Sequence, residues 1–159
     1  MPGDHQARPF TLLDHICSPS VLEELIKSAE EGHEGAQYYV GAMLFDGMCG
    51  EMDEAEGLIW ILQAAERGLI DAQHDYGRLS LESATTQEQR YRALYWLGAA
   101  AGQGDALSAL TLARMHEAGL HGLDQNICLA LDWYAAGEAL GNDDLIDHAQ
   151  SLRATSPDC

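Results

Sequence analysis

Tryptophan recurs at a nearly fixed spacing along this chain, and each tryptophan is followed eight residues later by a glycine. The tryptophans are Trp60, Trp96 and Trp133, and the glycines are Gly68, Gly104 and Gly141. Self-similarity with a period of about 20 to 50 residues is typical of repeat architectures, in which each unit packs mainly against its neighbours. The tryptophan spacing of 36 and 37 residues therefore predicts an array of similar units.

The residues around each tryptophan predict a helix that ends at the glycine. Within residues 57–68, apolar side chains recur at offsets of three, four and seven, which places them on one helix face. Glycine is common where a helix ends in a left-handed conformation. A second apolar segment follows each glycine, so each unit is predicted to contain two helices. We call them the opening helix, which follows the glycine, and the closing helix, which carries the tryptophan.

The opening helices repeat a small residue in register, at Gly41, Gly77 and Ala113. Glycine inside a helix costs about 1 kcal/mol relative to alanine, so its recurrence at one position needs a packing reason. We expect this position to lie where neighbouring helices approach each other closely. The three tryptophans are assigned to packing between helices, and a tryptophan cage for a ligand is the disfavoured alternative.

The combined pattern resembles the Sel1-like repeat family, whose two-helix units are related to tetratricopeptide repeats. The family pattern A-x-x-G-x-x-x-A-Q stands at residues 65–73, and its glycine-rich turn between helices stands at 46–50 and 119–124. The middle unit has residues 83–87 in place of that turn, which leaves the shape of this turn open. The resemblance covers roughly residues 29–150. It implies an all-α, right-handed α-α solenoid of about three helix-turn-helix repeats with helical caps.

The chain divides into five predicted segments. They are a disordered N-terminus at 1–8, capping helices at 9–31, the repeat array at 32–141, a capping helix at 142–153 and a loose tail at 154–159. Ser20 and Glu23 predict a capping box at the start of the helix before the array. Phe10, Leu12, Leu13 and Ile16 are expected to pack beneath that helix. All four prolines lie outside residues 20–156, which favours an uninterrupted helical body.

Acidic residues dominate the charge, with 26 acidic against 8 basic residues and a net charge of −18. Nucleic acid and anionic membrane surfaces are disfavoured as partners, because both require a basic surface. The acidic residues either solvate outer helix faces or steer a basic partner toward the protein. No apolar run is long enough to span a bilayer, and the N-terminus lacks the pattern of a signal peptide. We therefore expect a cytoplasmic protein.

The cysteines are Cys17, Cys49, Cys128 and Cys159, and their spacing follows neither the repeat nor a zinc site. In a reducing compartment they are predicted to be free thiols. A cluster of metal-binding residue types occurs at His116, Glu117, His121 and Cys128, but the two histidines miss the spacing of a helical H-E-x-x-H site. We expect no metal and no cofactor. His116 is interpreted as a packed residue, and His74 and His148 as surface or groove residues.

Functional residues are expected on the opening helices, because these helices line the concave face of related tetratricopeptide arrays. The predicted partner-binding residues are Tyr38, Phe45, His74, Arg78, Leu81, Leu110, Arg114 and Glu117. Arg78 and Arg114 stand one period apart, and the planar guanidinium suits a carboxylate. One interpretation is that they clamp an acidic side chain or the terminal carboxylate of a partner. The other is that each arginine pairs along its own helix, Arg78 with Glu82 and Arg114 with Glu117.

The resemblance implies an adaptor or regulator that is not an enzyme and that binds a protein or peptide on its concave face. A narrower hypothesis is an immunity-like role, in which the acidic surface neutralises a basic partner. The alternative is a hydrolase, such as the β-lactamase-like activity ascribed to cysteine-rich relatives. The chain has no cysteine in every repeat and no recognisable pair of nucleophile and base, which counts against the hydrolase.

Overall fold

The computed structural model describes residues 16–50, 52–139, 144–156 and 158–159. These residues form eight α-helices and a short 3-10 helix at Leu120–Gly122. The α-helices are α1 (Pro19–Glu30), α2 (Glu34–Asp46), α3 (Glu54–Glu66), α4 (Ile70–Glu82), α5 (Gln87–Gly102), α6 (Ala106–Ala118), α7 (Ile127–Ala139) and α8 (Asp144–Thr155). The prediction of an all-α solenoid is confirmed.

Helices pack chiefly against their neighbours in the chain, as a solenoid requires. The most extensive contacts lie within the three helix pairs α2–α3, α4–α5 and α6–α7. Successive pairs join through α3 with α4 and through α5 with α6, while α1 and α8 close the two ends. The opening helices are therefore α2, α4 and α6. No helix among the described residues is long and apolar enough to cross a bilayer.

The predicted helix stops are confirmed at Gly68 and Gly104, and Gly32 lies in the equivalent position before α2. Gly32, Gly68 and Gly104 have φ angles of 94°, 97° and 100°, which side chains with a Cβ rarely adopt. Each backbone N–H donates to the carbonyl three residues earlier, at 3.0 Å. The fourth such glycine, Gly141, lies outside the described residues. Glycine recurs once per repeat because the backbone at this helix end has a positive φ angle at each of these three positions.

The glutamine of the repeat pattern ties the first two opening helices, α2 and α4, back to the helix that precedes each of them, whereas α6 has Ala109 at this position. The side-chain amide of Gln37 donates to the carbonyl oxygen of Ala29, and that of Gln73 donates to the carbonyl oxygen of Ala65, both at 3.1 Å. Both glutamines are buried. The pattern A-x-x-G-x-x-x-A-Q therefore encodes a turn and also the buried hydrogen bond that spans it.

The middle turn differs from the other two, as its sequence suggests. In the outer units the opening helix ends at a left-handed glycine, Gly47 with φ 63° or Gly119 with φ 65°. In the middle unit α4 ends at Ser83 in the right-handed region instead, and α5 begins from a capping box between Thr86 and Gln89. The period survives because α5 has 16 residues against 13 in α3, which offsets the shorter turn.

The start of α1 differs from the prediction. The helix begins at Pro19, its N-cap residue is Ser18, and no side chain caps it. The predicted capping box between Ser20 and Glu23 is therefore wrong. Proline at the first helical position has a φ angle that already suits a helix, so α1 starts before Ser20 can act as the cap. Phe10, Leu12 and Leu13, which were expected beneath this helix, lie outside the described residues.

All four cysteines form disulfides, so the prediction of free thiols is wrong. Cys17 bonds to Cys49, and Cys128 bonds to Cys159. One bond ties the segment before α1 to the turn between α2 and α3, and the other ties the C-terminal tail to α7. The tail was expected to be loose, but α8 extends to Thr155 and Cys159 is cross-linked. The cysteine spacings gave no indication of these disulfides, because each bond joins one end of the chain to a nearby part of the array and neither bond recurs in every repeat.

Candidate partner-binding surface

The eight residues predicted to bind a partner all lie on the opening helices. Tyr38 and Phe45 belong to α2, while α4 carries His74, Arg78 and Leu81, and α6 carries Leu110, Arg114 and Glu117. Only the two arginines are classed as exposed, and Leu81 is almost fully buried at 3% exposure. The polar residues among them divide into those that hold the repeats together and those that face outward.

Tyr38 links the first two repeats. Its hydroxyl donates to Asp75 on α4 at 2.7 Å. Burial, together with this hydrogen bond to a carboxylate, raises the pKa of Tyr38 well above its usual value. Asp75 also lies 3.6 Å from the guanidinium of Arg78, which in turn donates to Glu82 at 3.1 Å. The predicted pairing of Arg78 with Glu82 is therefore present, and Tyr38 serves the contact between repeats.

His74 links the second and third repeats. Its Nδ1 lies 2.8 Å from the hydroxyl of Ser108 and 3.2 Å from a carboxylate oxygen of Asp105, both at the start of α6. Asp105 also caps α6 by accepting the backbone N–H of Ser108. Burial acts to raise the pKa of Asp105, but hydrogen bonds from Ser108 and the nearby His74 outweigh it and hold that pKa below its usual value.

His74, Ser108 and Asp105 have the residue types of a hydrolytic triad but not its geometry. In a triad the serine and the aspartate contact opposite nitrogens of the imidazole, so that a proton can pass from the serine. Here both contact Nδ1, and Ser108 is fully buried. The cluster therefore offers no nucleophile to a substrate, and it gives the hydrolase alternative no support.

Glu117 links α6 to the two last helices. It accepts hydrogen bonds from the hydroxyl of Tyr134 on α7 and from Nε2 of His148 on α8. Burial acts to raise the pKa of Glu117, but these hydrogen bonds and the nearby positive charge of Arg114 lower it. Arg114 nevertheless forms no ion pair with Glu117, unlike Arg78 with Glu82. The predicted pairing of Arg114 with Glu117 is therefore wrong, because Tyr134 and His148 occupy the carboxylate.

Arg78 and Arg114 meet at a cavity of about 270 Å³ between α4 and α6. Leu81 and Met115 contribute apolar walls, and the 3-10 helix after α6 contributes Leu120 and His121. Arg114 is exposed and makes no ion pair with a carboxylate of the described residues. The cavity therefore combines apolar surface with a guanidinium whose charge is not neutralised by contact.

Four residues of this cavity were not predicted from the sequence: Thr111, Met115, Leu120 and His121. The 3-10 helix lies between Gly119 and Gly122, both with positive φ, and His121 itself has a φ of 54°. These backbone turns fold Leu120 and His121 back beside α6. Gly119 and Gly122 predicted a turn, but the direction in which the chain leaves α6 depends on backbone angles that the residue pattern does not specify.

The residues grouped in the sequence as metal-binding types have other contacts. Cys128 is bonded to Cys159, and Glu117 accepts hydrogen bonds from Tyr134 and His148. His116 is partly buried, which lowers its pKa. Across the described part of the chain, no group of three or more His, Cys, Asp or Glu side chains is placed to hold a metal ion.

Solved structures with the same architecture come from bacterial repeat proteins. The Sel1 repeat protein of Oxalobacter formigenes is 22% identical with a TM-score of 0.74, and the alignment covers 86% of this chain and 56% of that one. A protective antigen of uropathogenic Escherichia coli with an SLR fold is 23% identical with a TM-score of 0.72, with coverage of 86% and 29%. This chain thus spans about half of the first protein and less than a third of the second.

No protein-family model matches the chain, and no curated protein matches it. The structural likeness nevertheless confirms the resemblance inferred from the repeat: the chain has the Sel1-like repeat fold.

Proposed function

We propose that this protein is a non-enzymatic adaptor or regulator that binds a segment of a partner protein on the surface of its opening helices. The observation that carries the proposal is Arg114, an exposed arginine without an ion pair among the described residues, at a cavity whose lining mixes apolar side chains with polar ones, Glu82 included. Repeat solenoids commonly bind partners along the extended surface that stacked repeats create. The cavity offers one anchoring point on such a surface.

The chemistry of the cavity favours a carboxylate flanked by an apolar side chain. A guanidinium recognises a carboxylate through two parallel hydrogen bonds, and no carboxylate of the described residues pairs with Arg114. Leu81, Met115 and Leu120 provide apolar contacts beside it. Arg78 is a weaker candidate because Asp75 and Glu82 already neutralise it. The hypothesis that two arginines clamp the carboxylate therefore changes: Arg114 is the main contact, and Arg78 contributes less.

The strong negative charge supports a second contribution to binding. A net charge of −18 raises the association rate of a basic partner at low ionic strength. A partner with a basic surface and one carboxylate, from an acidic side chain or its C-terminus, would suit both the acidic surface of this chain and the Arg114 cavity. In the narrower, immunity-like form of the proposal, this chain neutralises the basic surface of that partner.

The two disulfides bear on the compartment in which the protein works. The cytoplasmic location stays a prediction, and the disulfides count against it because they favour an oxidising compartment. Disulfides persist in oxidising environments and are rare where thiol reductants act. Capture experiments should therefore keep the disulfides oxidised, without a reducing agent in the buffer.

The direct test is affinity capture from the source organism with variants that differ in one arginine. Wild type and Arg114→Ala are compared, and Arg92→Ala is the matched control because it removes the same charge from an exposed site on α5. Partners retained by wild type and Arg92→Ala but reduced at least about tenfold by Arg114→Ala support the proposal. Equal retention by all three proteins contradicts it.

Salt then separates the two contributions. Steering by the acidic field weakens steeply between about 50 and 500 mM salt, because the Debye length falls from roughly 14 to 4 Å. Contact at the Arg114 cavity changes less with salt, since part of it is apolar. If salt removes binding completely while Arg114→Ala has no effect, the immunity-like reading is favoured and the anchor at Arg114 is wrong.

A further inference from the structure

A second cavity lies near the N-terminal end of the array, far along the chain from Arg114. It has a volume of about 360 Å³ and lies between the helices α1, α2 and α3, with the turn that joins α2 to α3 at one side. Its walls are mainly apolar and include Leu25, Val40, Met43 and Trp60. A volume of this size lies within the usual range for small-molecule sites, which are largely apolar with a few polar groups at defined positions.

The repeat explains why the cavity exists. In the second unit Tyr76 packs edge-on against Trp96, with ring centroids 6.2 Å apart and an interplanar angle of 82°. The register-equivalent residues of the first unit are Val40 and Trp60. Valine is too small to reproduce the aromatic contact, so the side of Trp60 that a tyrosine would cover lines the cavity instead. Val40 therefore leaves room beside Trp60 for about one aromatic ring.

The charged groups of the lining are both acidic. Glu30 and Glu56 line the cavity and are exposed at its edge, and the lining contains no basic residue. Trp60 adds an indole whose face attracts cations, and this attraction strengthens where water is partly excluded. An apolar body therefore suits the interior of the cavity, and a positive charge suits its rim.

We infer that this cavity is a binding site for a small arylalkylamine, that is, an aliphatic amine that carries one aromatic ring, with its ring against Trp60 and its ammonium group at Glu30 and Glu56. The ring takes the place that Tyr76 occupies in the next unit. The site is independent of the partner-binding surface, since no residue lines both cavities. Its failure would leave the proposal for Arg114 unaffected.

The test uses 2-phenylethylamine as the probe and methyl NMR of the oxidised 159-residue chain as the measurement. A probe of about nine heavy atoms should bind with a Kd of roughly 0.1–1 mM. We expect saturable shifts of the methyl groups of Leu25, Val40 and Met43. The uncharged analogue 2-phenylethanol should bind about three- to tenfold more weakly, because it lacks the attraction to two exposed carboxylates.

Val40→Tyr is the decisive variant, because it restores the residue found at this position in the next repeat. It fills the cavity, so it should abolish the shifts while keeping or raising the melting temperature. Should this variant fail to fold, Glu30→Gln combined with Glu56→Gln keeps the cavity and should bind the amine and the alcohol equally. Both variants leave Arg114 and its surroundings unchanged.

Three results would overturn the inference. The first is shifts that map outside the cavity or persist in a folded Val40→Tyr variant. The second is equal affinity of wild type for the amine and the alcohol. The third is binding by a Phe10→Ala variant but not by wild type, since the occupant would then be the chain's own N-terminal segment.

Discussion

A Cβ atom added to Gly41 on α2 would stand 2.8 Å from the carbonyl oxygen of Gly57 on α3, so the two helix backbones touch at this point. The relationship is reciprocal, because a Cβ atom on Gly57 would stand 2.7 Å from the carbonyl oxygen of Gly41. In the second unit a Cβ atom on Gly77 would meet Leu97 at 2.7 Å. Close packing therefore requires the repeated glycine within the first two helix pairs, as the sequence predicted, while the third pair accommodates an alanine at this position.

Replacement of Gly41 by alanine should destabilise the protein. In an open helix this change stabilises by about 0.5–1 kcal/mol, because alanine is the better helix former. Here the methyl group overlaps backbone and Ile61 atoms, and overpacking of this kind costs about 1–3 kcal/mol. We expect Gly41→Ala to lower the free energy of unfolding in urea by about 1–2 kcal/mol.

Gly98→Ala is the matched control for that measurement. Gly98 lies inside α5, and a Cβ atom added there would meet nothing within 4 Å. This variant should be more stable than wild type by up to about 1 kcal/mol. If both alanine variants shift stability in the same direction, close packing is not the reason for the glycine at position 41.

The disulfides should stabilise the two ends of the array separately. The bonds close loops with sequence separations of 32 and 31 residues, for which loop entropy predicts about 3–4 kcal/mol each. In a solenoid each unit depends on its neighbours only, so loss of one bond should loosen the nearer end first. We expect Cys17→Ala with Cys49→Ala to speed amide exchange in α1 and the start of α2, with little change in α7.

The reciprocal variant completes the test. Removal of Cys128 and Cys159 should speed exchange in α8 and spare α1. Equal acceleration along the whole chain in either variant would contradict nearest-neighbour packing and indicate one cooperative unit.

Most of the fold could be predicted from the sequence because the same structural requirement selects the same residue in successive units. A positive φ angle recurs at Gly32, Gly68 and Gly104, and a close contact between two helices recurs at Gly41 and Gly77. Features that occur once were harder to predict. The disulfides join the ends of the array to neighbouring helices, and their cysteine spacing carries no periodic signal.

Of the eight residues predicted to bind a partner, three line the cavity, Arg78, Leu81 and Arg114, and the other five do not. Arg78 and Arg114 were recognised because they share a register position, and they do line one cavity. Register alone could not show that Arg78 is neutralised by its own helix while Glu117 pairs across helices. That difference depends on Tyr134 and His148, which come close to Glu117 only when the third unit and α8 are packed.

Loss of Gln73, which is buried and takes part in two hydrogen bonds, should cost more than loss of Gln103, which is exposed and donates one of them. Gln73 is buried and donates to the carbonyl oxygen of Ala65, while Gln103 donates to Gln73 from an exposed position. Gln73→Ala should lower the free energy of unfolding by about 1–2 kcal/mol, and Gln103→Ala by less than about 0.5 kcal/mol. Chemical denaturation of both variants measures the difference, and equal losses would show that the glutamine bond has no special role in the turn.

The contact of α8 with the array should weaken in acid through Glu117. Hydrogen bonds from Tyr134 and His148 and the charge of Arg114 place the folded-state pKa of Glu117 below its value in the unfolded chain, which is about 4.5. A carboxyl group with a lowered pKa contributes its full stability above the unfolded value. That contribution is lost as the pH falls through the folded value. The stability of wild type should therefore decline between about pH 5 and pH 3.

Glu117→Gln isolates this effect, since the amide oxygen can still accept a hydrogen bond but carries no charge. The variant should be less stable than wild type at pH 7, and the difference between them should shrink as the pH falls below about 4.5. Glu66→Gln, at an exposed glutamate on α3, is the control and should follow wild type within about 0.5 kcal/mol. Amide exchange localises the change, because only α8 and the facing part of α7 should lose protection in acid. A constant difference between wild type and Glu117→Gln from pH 7 to pH 3 would show that the charge of Glu117 does not hold α8.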